Sequence, residues 1–377
     1  MEQKKGKCVY ITTSKIPSNQ ANAIHVMKLS EELSRSCESF TLVLPGDSAK
    51  DRDVFGIYGV DDFNIKYIRK KRLPFLKEGH NRLLEHYSYA LAAVSFAASK
   101  KADFILTRDP LVAVFATKRR IRTVFDLHGD YKVRYTGKAY SVIDERLLIS
   151  PCIRLVSITK SLREYYKNKY NIDESKITVL PDGVTLKNYD FEPKKITGEP
   201  NIVYMGKFHV GKGLRLLYDI ALAMPGQIFD WYGGDNKLAC KELGVQALPE
   251  NVRAHGYVSQ DKVPEILEGA DILLLPNQKD QHLASENIGN ITSPIKMFEY
   301  MASGRTMISS DIEVLREVLD ESLCYFADAD DALTWKKAIE HIKENTDEAY
   351  RKAVSAREEV QKYTWGKRAE GILKLGL

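Results

Sequence analysis

The chain has no run of eighteen or more apolar residues, so no segment of it reads as a membrane-spanning helix. Cysteine is sparse: Cys8, Cys37, Cys152, Cys240 and Cys324 are odd in number, scattered, and without the spacing of a metal site. That excludes a disulfide scaffold and fits buried free thiols in a reducing compartment. No low-complexity tract occurs, and neither charge sign dominates. A formal net charge of +5 permits contact with phosphates or an anionic surface but is not the basic footprint of a nucleic-acid-binding protein. Residues 1–7 lead straight into an expected strand and lack the apolar segment and cleavage site of a signal peptide, so the expected location is the cytoplasm.

What is present is a globular composition, 44% hydrophobic and 28% charged, over 377 residues, a length that predicts two domains. Short apolar, β-branched runs alternate with segments of helical period. Strands are predicted over 7–13, 39–44, 63–69, 104–108, 123–128, 155–159 and 177–180, with helices at 21–35, 82–99, 110–119, 140–149 and 161–169. The rhythm restarts with strands at 201–205, 227–232, 252–257, 271–275 and 306–309. Amphipathic helices follow at 333–342 and 348–360, and a last one after Thr364-Trp365. Such alternation predicts an α/β protein of two Rossmann-like, doubly wound parallel sheets. Residues 187–200, polar, proline-bearing and aperiodic, read as the linker. An active site is expected beyond the carboxyl ends of the strands, in the cleft between the domains.

Two strand–loop–helix units in the second half carry a phosphate-binding pattern. In Ser293-Pro294-Ile295-Lys296-Met297-Phe298-Glu299-Tyr300-Met301-Ala302-Ser303-Gly304, Ser followed by Pro predicts a helix start with Ser293 as its cap. Met297, Tyr300 and Met301 recur at helical spacing, and Gly304 ends the element. The positive end of that helix, with the N–H groups around Ile295 and Lys296, is a site for phosphate. Upstream, Gly206-Lys207-Phe208-His209-Val210-Gly211-Lys212-Gly213 follows a strand and opens another helix. Its spacing nearly satisfies a P-loop, but Gly213 stands where the Mg²⁺-binding hydroxyl belongs. What survives is two lysines placed to meet an anion; the bland alternative is that Lys207 and Lys212 are solvated surface charges.

Together these motifs resemble the retaining family 4 glycosyltransferases, which have the GT-B fold. The second half carries Met205-Gly206-Lys207 with Lys212-Gly213, then Trp231-Tyr232-Gly233-Gly234, His255-Gly256-Tyr257-Val258-Ser259 and Ala270-Asp271-Ile272-Leu273-Leu274-Leu275-Pro276. In the first half the match rests on Ala21-Asn22-Ala23-Ile24-His25-Val26-Met27-Lys28, Asp126-Leu127-His128-Gly129 and Leu180-Pro181-Asp182-Gly183-Val184. The terminal Tyr363-Thr364-Trp365-Gly366-Lys367-Arg368-Ala369 resembles the helix that returns to the N-terminal domain. The resemblance implies an acceptor-binding domain over 1–190, completed by 362–377, and a donor-binding domain over 198–361. It implies transfer of a sugar, with retention, from a nucleotide diphosphate sugar to a hydroxyl of a glycan or lipid-linked acceptor. UDP is the nucleotide favoured by family frequency. No cofactor and no essential metal are expected, and no nucleic acid partner.

Carried over residue by residue, the resemblance assigns catalysis to His128, Lys207, Lys212 and Glu299. Donor contacts fall to Gly206, Gly234, Tyr257, Val258, Thr292, Ser293, Ile295 and Lys296, and acceptor contacts to Asn19, Asn22, His25 and Arg108. The lysines and the N–H groups near Ile295 and Lys296 would stabilise the departing diphosphate; Glu299 would orient the ribose, and His128 the sugar. Ile291 stands where the family often has a first glutamate, so either Thr292, Ser293 or the loop 285–290 holds the sugar or the sugar preference differs. The loop 14–20 lacks the family's glycine pair, so its polar side chains are expected on the acceptor. Structural readings stand beside these: His128 as a simple hydrogen-bonder, His25 as packing, and Arg108 with Asp109 as an internal salt bridge. The stretch 66–77 interleaves Lys66, Arg69, Lys70, Lys71, Arg72 and Lys77 with Leu73, Phe75 and Leu76, a composition suited to peripheral contact with an anionic membrane. Rival functions are a nucleotide-sugar epimerase, a P-loop ATPase discounted by Gly213, and a nucleotide-sugar-binding protein with a dead site.

Overall fold

The computed structural model describes residues 4–46, 53–75, 77–133, 135, 140–279, 282–283, 286–287, 289–291 and 293–377. The chain divides into two compact units, Met1–Pro181 with Trp365–Leu377, and Asp182–Thr364.

Seven strands build the first unit: β1 (Lys7–Ile11), β2 (Ser39–Pro45), β3 (Ile65–Ile68), β4 (Phe104–Thr107), β5 (Arg122–Leu127), β6 (Ile153–Ser157) and β7 (Ile177–Val179). They pair in parallel in the order β3-β2-β1-β4-β5-β6-β7. Their central residues are apolar and buried without alternation, as a parallel sheet covered on both faces requires. The crossovers are α1 (Ala21–Ser36), α2 (Glu78–Ser99), α3 (Pro110–Lys118), α4 (Arg146–Ile149) and α5 (Lys160–Tyr170). Asp109 starts α3 by accepting the N–H groups of Leu111 and Val112, with Pro110 in the first turn. The strand order reverses between β1 and β4, so the loops leaving those strands flank a topological switch point.

The second unit repeats the plan with β8 (Ile202–Met205), β9 (Phe229–Tyr232), β10 (Val252–Ala254) and β11 (Ile272–Leu275). A small antiparallel hairpin of β12 (His282–Leu283) and β13 (Glu286–Asn287) follows, then β14 (Thr306–Ser310) and β15 (Tyr325–Ala327). The main sheet is parallel in the order β10-β9-β8-β11-β14-β15. Its helices are α6 (Leu214–Ala223), α7 (Asn236–Leu243), α8 (Val263–Gly269), α9 (Ile295–Ser303), α10 (Glu313–Arg316), α11 (Ala332–Glu344) and α12 (Thr346–Glu359). One side of the sheet is filled around Trp231 and Trp335, the other around Phe298, Tyr300 and Leu273. The last helix, α13 (Trp365–Gly376), belongs to the first unit and packs on α1 and β5.

Several sequence expectations change. The stretch 187–200 is not a free linker, and the division falls at Pro181/Asp182 rather than at residue 190. Val184 bridges Thr364, Tyr189 is buried in the second core, and Arg357 and Arg305 donate to the carbonyls of Tyr189 and Glu192 (both 2.9 Å). Those bonds fasten 182–192, and residues 362–364, to the second unit. The helix expected over 140–149 shrinks to α4, because Asp144 turns its carboxylate onto the N–H of Arg146 (2.9 Å). Strand β10 stops at Ala254, where His255 leads into Gly256 at φ 80°. Strand β15, three residues long, went unread. Among the described residues no helix is long and apolar enough to cross a membrane.

Candidate active site

In the second unit the carboxyl end of β8 and the start of α9 are joined directly. The Met205 N–H donates to the Tyr300 hydroxyl (2.9 Å), which lies 3.3 Å from the Met205 carbonyl. Tyr204, one residue earlier, points to the opposite side of the strand, and its hydroxyl reaches the carbonyls of Lys207 (3.3 Å) and Lys212 (3.5 Å). The loop between those lysines is therefore tied at both ends to its own strand. Gly213 then opens α6 at φ 84°, where a Cβ would sit 1.9 Å from the Pro276 carbonyl oxygen. A hydroxyl residue does not fit there, which is the physical reason for the departure from a P-loop.

Lys296 extends from the first turn of α9 into this loop. Its Nζ lies 4.6 Å from the centroid of the Tyr204 ring and would be 3.3 Å from a Cβ on Gly206. The Nζ is enclosed and has no hydrogen-bond partner among the described residues. Burial and the nearby ammonium of Lys212 push Lys296 well below the usual lysine range. Burial alone lowers Lys212 to about 8. Two half-buried lysines thus face each other with no carboxylate partner for either among the described residues. Such a pair is unfavourable unless an anion joins it. Lys207, by contrast, is exposed.

Ser293 does not cap α9: the cap position is Pro294, with no side-chain bond, and the helix begins at Ile295. Proline's extended backbone (ψ 134°) delays the first turn by one residue and leaves the Ser293 hydroxyl buried without a partner among the described residues. Glu299 lies one turn further and accepts a bond from Gln260 of the loop after β10. That loop also carries Tyr257, 56% exposed, and half-buried Val258. Gly234 bridges Gly256, which closes β9 onto the same loop. Thr292 lies outside the described residues, as do Ser285 and Ile288 of the adjoining loop.

In the first unit the site residues gather at the ends of β1, β4 and β5. Asp126 is buried on β5, and its Oδ1 accepts from Arg368 Nη2 of α13 (2.6 Å). Its Oδ2 lies 3.0 Å from His128 Nε2 and 3.2 Å from His25 Nε2. Burial opposes ionisation of Asp126, but Arg368 and His128 outweigh it and hold the carboxyl well below its usual range. Burial and the Arg108 guanidinium lower His128 to about 3, so its ring is neutral. The His25, Asp126 and His128 ligand-type atoms lie within 4.8 Å of one another. A guanidinium already neutralises that carboxylate, so the cluster reads as a hydrogen-bond network.

Arg108 and Asp109 do not form a salt bridge. Asp109 is taken by His86 Nε2 (2.8 Å), the Tyr135 hydroxyl (3.2 Å) and the α3 N–H groups, and Arg108 keeps Nη1 buried without a partner among the described residues. Asn22 donates to Ser14 (3.4 Å), and Asn19 is exposed just before α1.

Comparison with known families places these features. A model described as Glycosyltransferase Family 4 matches residues 23–188, and one described as Glycosyl transferases group 1 matches residues 199–345. The chain belongs to the GT-B glycosyltransferases of the family 4 type. This glycosyltransferase is 21% identical over 244 residues to the processive diacylglycerol alpha-glucosyltransferase of Acholeplasma laidlawii, covering 60% of the chain and 67% of that relative. It is 24% identical to the phosphatidyl-myo-inositol mannosyltransferase of Mycobacterium leprae over 52% of each chain, and so spans about half of that relative. Its fold matches sucrose-phosphate synthase from Thermosynechococcus elongatus (TM-score 0.69, 17% identity, 98% of each chain). It also matches Anabaena HepE in complex with UDP (TM-score 0.71, 12% identity, 98% of each chain).

Sequence reading of the glycosyltransferase missed two participants. Lys296 was assigned for its N–H group, whereas its side chain completes the cationic pair. Asp126 was noted only as part of a motif, yet it holds His128 and lies against His25. A carboxylate two residues before a strand-end histidine is the signal that pointed to it, since alternate strand residues share a side.

Proposed function

We propose that this glycosyltransferase moves a sugar from UDP to a hydroxyl of a lipid-linked or glycan acceptor, with retention and without an essential metal. The observation that carries the reading is the pair Lys212 and Lys296, buried together with no acidic partner among the described residues. A diphosphate supplies the charge that pair lacks. As the glycosidic bond breaks, negative charge grows on the leaving oxygen, and preorganised cations meet it without reorganising. One such donor typically contributes on the order of a hundredfold or more in rate. The N–H groups of Ile295 and Lys296, at the uncapped start of α9, add partial positive charge to the same place.

Glu299 accepts the ribose hydroxyls, and Tyr257 and Val258 meet the base. His128 orients the sugar, with Arg108 beside it, and the polar loop before α1 receives the acceptor. The Ser293 hydroxyl, buried and without a partner among the described residues, is assigned to the sugar in place of the glutamate missing at Ile291. UDP as nucleotide draws support from HepE, whose structure is described with UDP, and a lipid acceptor from the diacylglycerol and phosphatidyl-inositol relatives. The basic stretch 66–77, with Phe75 78% exposed, would then rest on an anionic membrane surface from the cytoplasmic side.

The test is an assay of UDP- and GDP-sugars with lipid and glycan acceptors in EDTA, with NMR of the anomeric proton in the first-formed product. Turnover with an unchanged anomeric configuration supports the proposal. An inverted product or a strict Mg²⁺ requirement sinks the mechanism, and a new sugar nucleotide in place of a glycoside would favour the epimerase. Flotation with phosphatidylglycerol vesicles tests the membrane contact, which fails if the protein stays at the bottom of the gradient.

A further inference from the structure

Asp126 and His128 stand two residues apart at the end of β5, and so project to one side of the sheet. The Asp126 carboxylate is spent on Arg368 Nη2 at 2.6 Å on Oδ1 and His128 Nε2 at 3.0 Å on Oδ2, with His25 Nε2 3.2 Å from the same Oδ2. A carboxylate paired with a buried guanidinium is ionised and can only accept. The His128 Nε2 atom must therefore carry hydrogen. For His128 this settles the rest of the ring: a neutral imidazole that donates through Nε2 has a bare lone pair on Nδ1. That Nδ1 makes no hydrogen bond within the described residues. The ring is further held by the edge of His25, with centroids 4.6 Å apart at 88°, and His25 by Trp365 at 5.3 Å.

We propose that Asp126 is a positioning residue that locks His128 as the Nε2–H tautomer and so presents Nδ1 to the substrate as a hydrogen-bond acceptor. The inference rests on the reading that His128 meets the sugar. Its chemical content is a direction: a substrate hydroxyl must give its hydrogen to Nδ1, and a group that only accepts is refused. The low proton affinity of His128, set by burial and by Arg108, keeps this polarity over the working pH range. Arg368 brings α13 into the arrangement, since it holds Asp126 in the form that cannot donate.

Asp126→Asn is the informative variant. An asparagine that turns its carbonyl to Arg368 offers its NH₂ to His128 Nε2, which forces the hydrogen onto Nδ1 and reverses the polarity facing the substrate. Wrong-tautomer variants of other histidine enzymes lose roughly 10²–10⁴ in turnover. The experiment is ¹⁵N NMR of histidine-labelled protein together with transfer kinetics. Expected are a wild-type His128 in the Nε2–H form, and an Asp126→Asn variant in the Nδ1–H form whose kcat is at least a hundredfold lower, with donor KM little changed. A wild-type ring in the Nδ1–H form, or exchanging between both, overturns the proposal, and that spectrum decides even where the variant fails to fold. An Asp126→Asn variant that turns over normally also overturns it. Full turnover by His128→Ala would strike the underlying assignment of His128 to the sugar, and with it the presentation of Nδ1, whatever the tautomer.

Discussion

Arg368 donates to Asp126 at 2.6 Å across 242 residues of sequence, with both side chains buried. This pair joins the last helix to β5 of the first sheet. Removing one partner leaves the other charge buried and alone. Arg368→Leu is therefore expected to lower unfolding free energy by about 3–5 kcal/mol, read from urea titration of the first unit's fluorescence. The pH dependence has a definite sign. Asp126 titrates lower in the folded than in the unfolded state, so its stabilising contribution is full above the ordinary aspartate range and is lost as pH falls through the folded value. Arg368→Leu should flatten that acid limb, and an unchanged limb would contradict the assignment.

Lys212 carries a proton affinity lowered to about 8 by burial, with the Lys296 side chain facing it. In the free enzyme its ammonium is lost as pH rises through that value. Donor affinity is expected to weaken on the alkaline side, and binding of the diphosphate to take up protons near pH 8. Titration calorimetry in buffers of different ionisation enthalpy measures that uptake directly. Binding with no proton exchange between pH 7.5 and 8.5 would count against the lysine site.

Two lysines enclosed with no acidic partner among the described residues weaken the fold that holds them. Lys212→Met and Lys296→Met should each raise thermal stability, by about 1–3 kcal/mol, while transfer falls. The linkage runs the same way: the unfolded chain binds the Lys212 proton more tightly, so wild-type stability rises between pH 8 and the ordinary lysine range. Scanning calorimetry at pH 7 and pH 9 checks both statements. A destabilised methionine variant would mean that the lysines are structural.

Glu299 is assigned to the ribose. Losing hydrogen bonds to a charged group costs roughly ten- to a hundredfold in affinity, so Glu299→Ala should raise donor KM by that factor. The loss should vanish with a 2′,3′-dideoxyribose donor. A penalty equal for both donors would place Glu299 elsewhere.

The alternation of strand and helix made both parallel sheets readable, because period and burial are local. The Gly206–Gly213 loop was legible for the same reason, and so was the end of α9 at Gly304, where φ 60° suits glycine. What stayed hidden depended on long-range contact. Nothing near Tyr189 announces that Arg357 grips its carbonyl, and so a fastened segment read as a linker. Lys296 looks like any surface lysine until Tyr204 and Lys212 are seen against it. Ser293 misled through a rule that is sound on average: the residue before proline usually caps, but here proline itself occupies the cap.

The most direct measurement is the affinity of UDP and of uridine, by calorimetry at pH 7 in EDTA, for wild type and Lys296→Met. UDP binding should weaken by roughly ten- to a hundredfold in the variant, while uridine binding stays the same. A variant that holds UDP as tightly as the wild type would contradict the claim that the lysine pair receives the diphosphate.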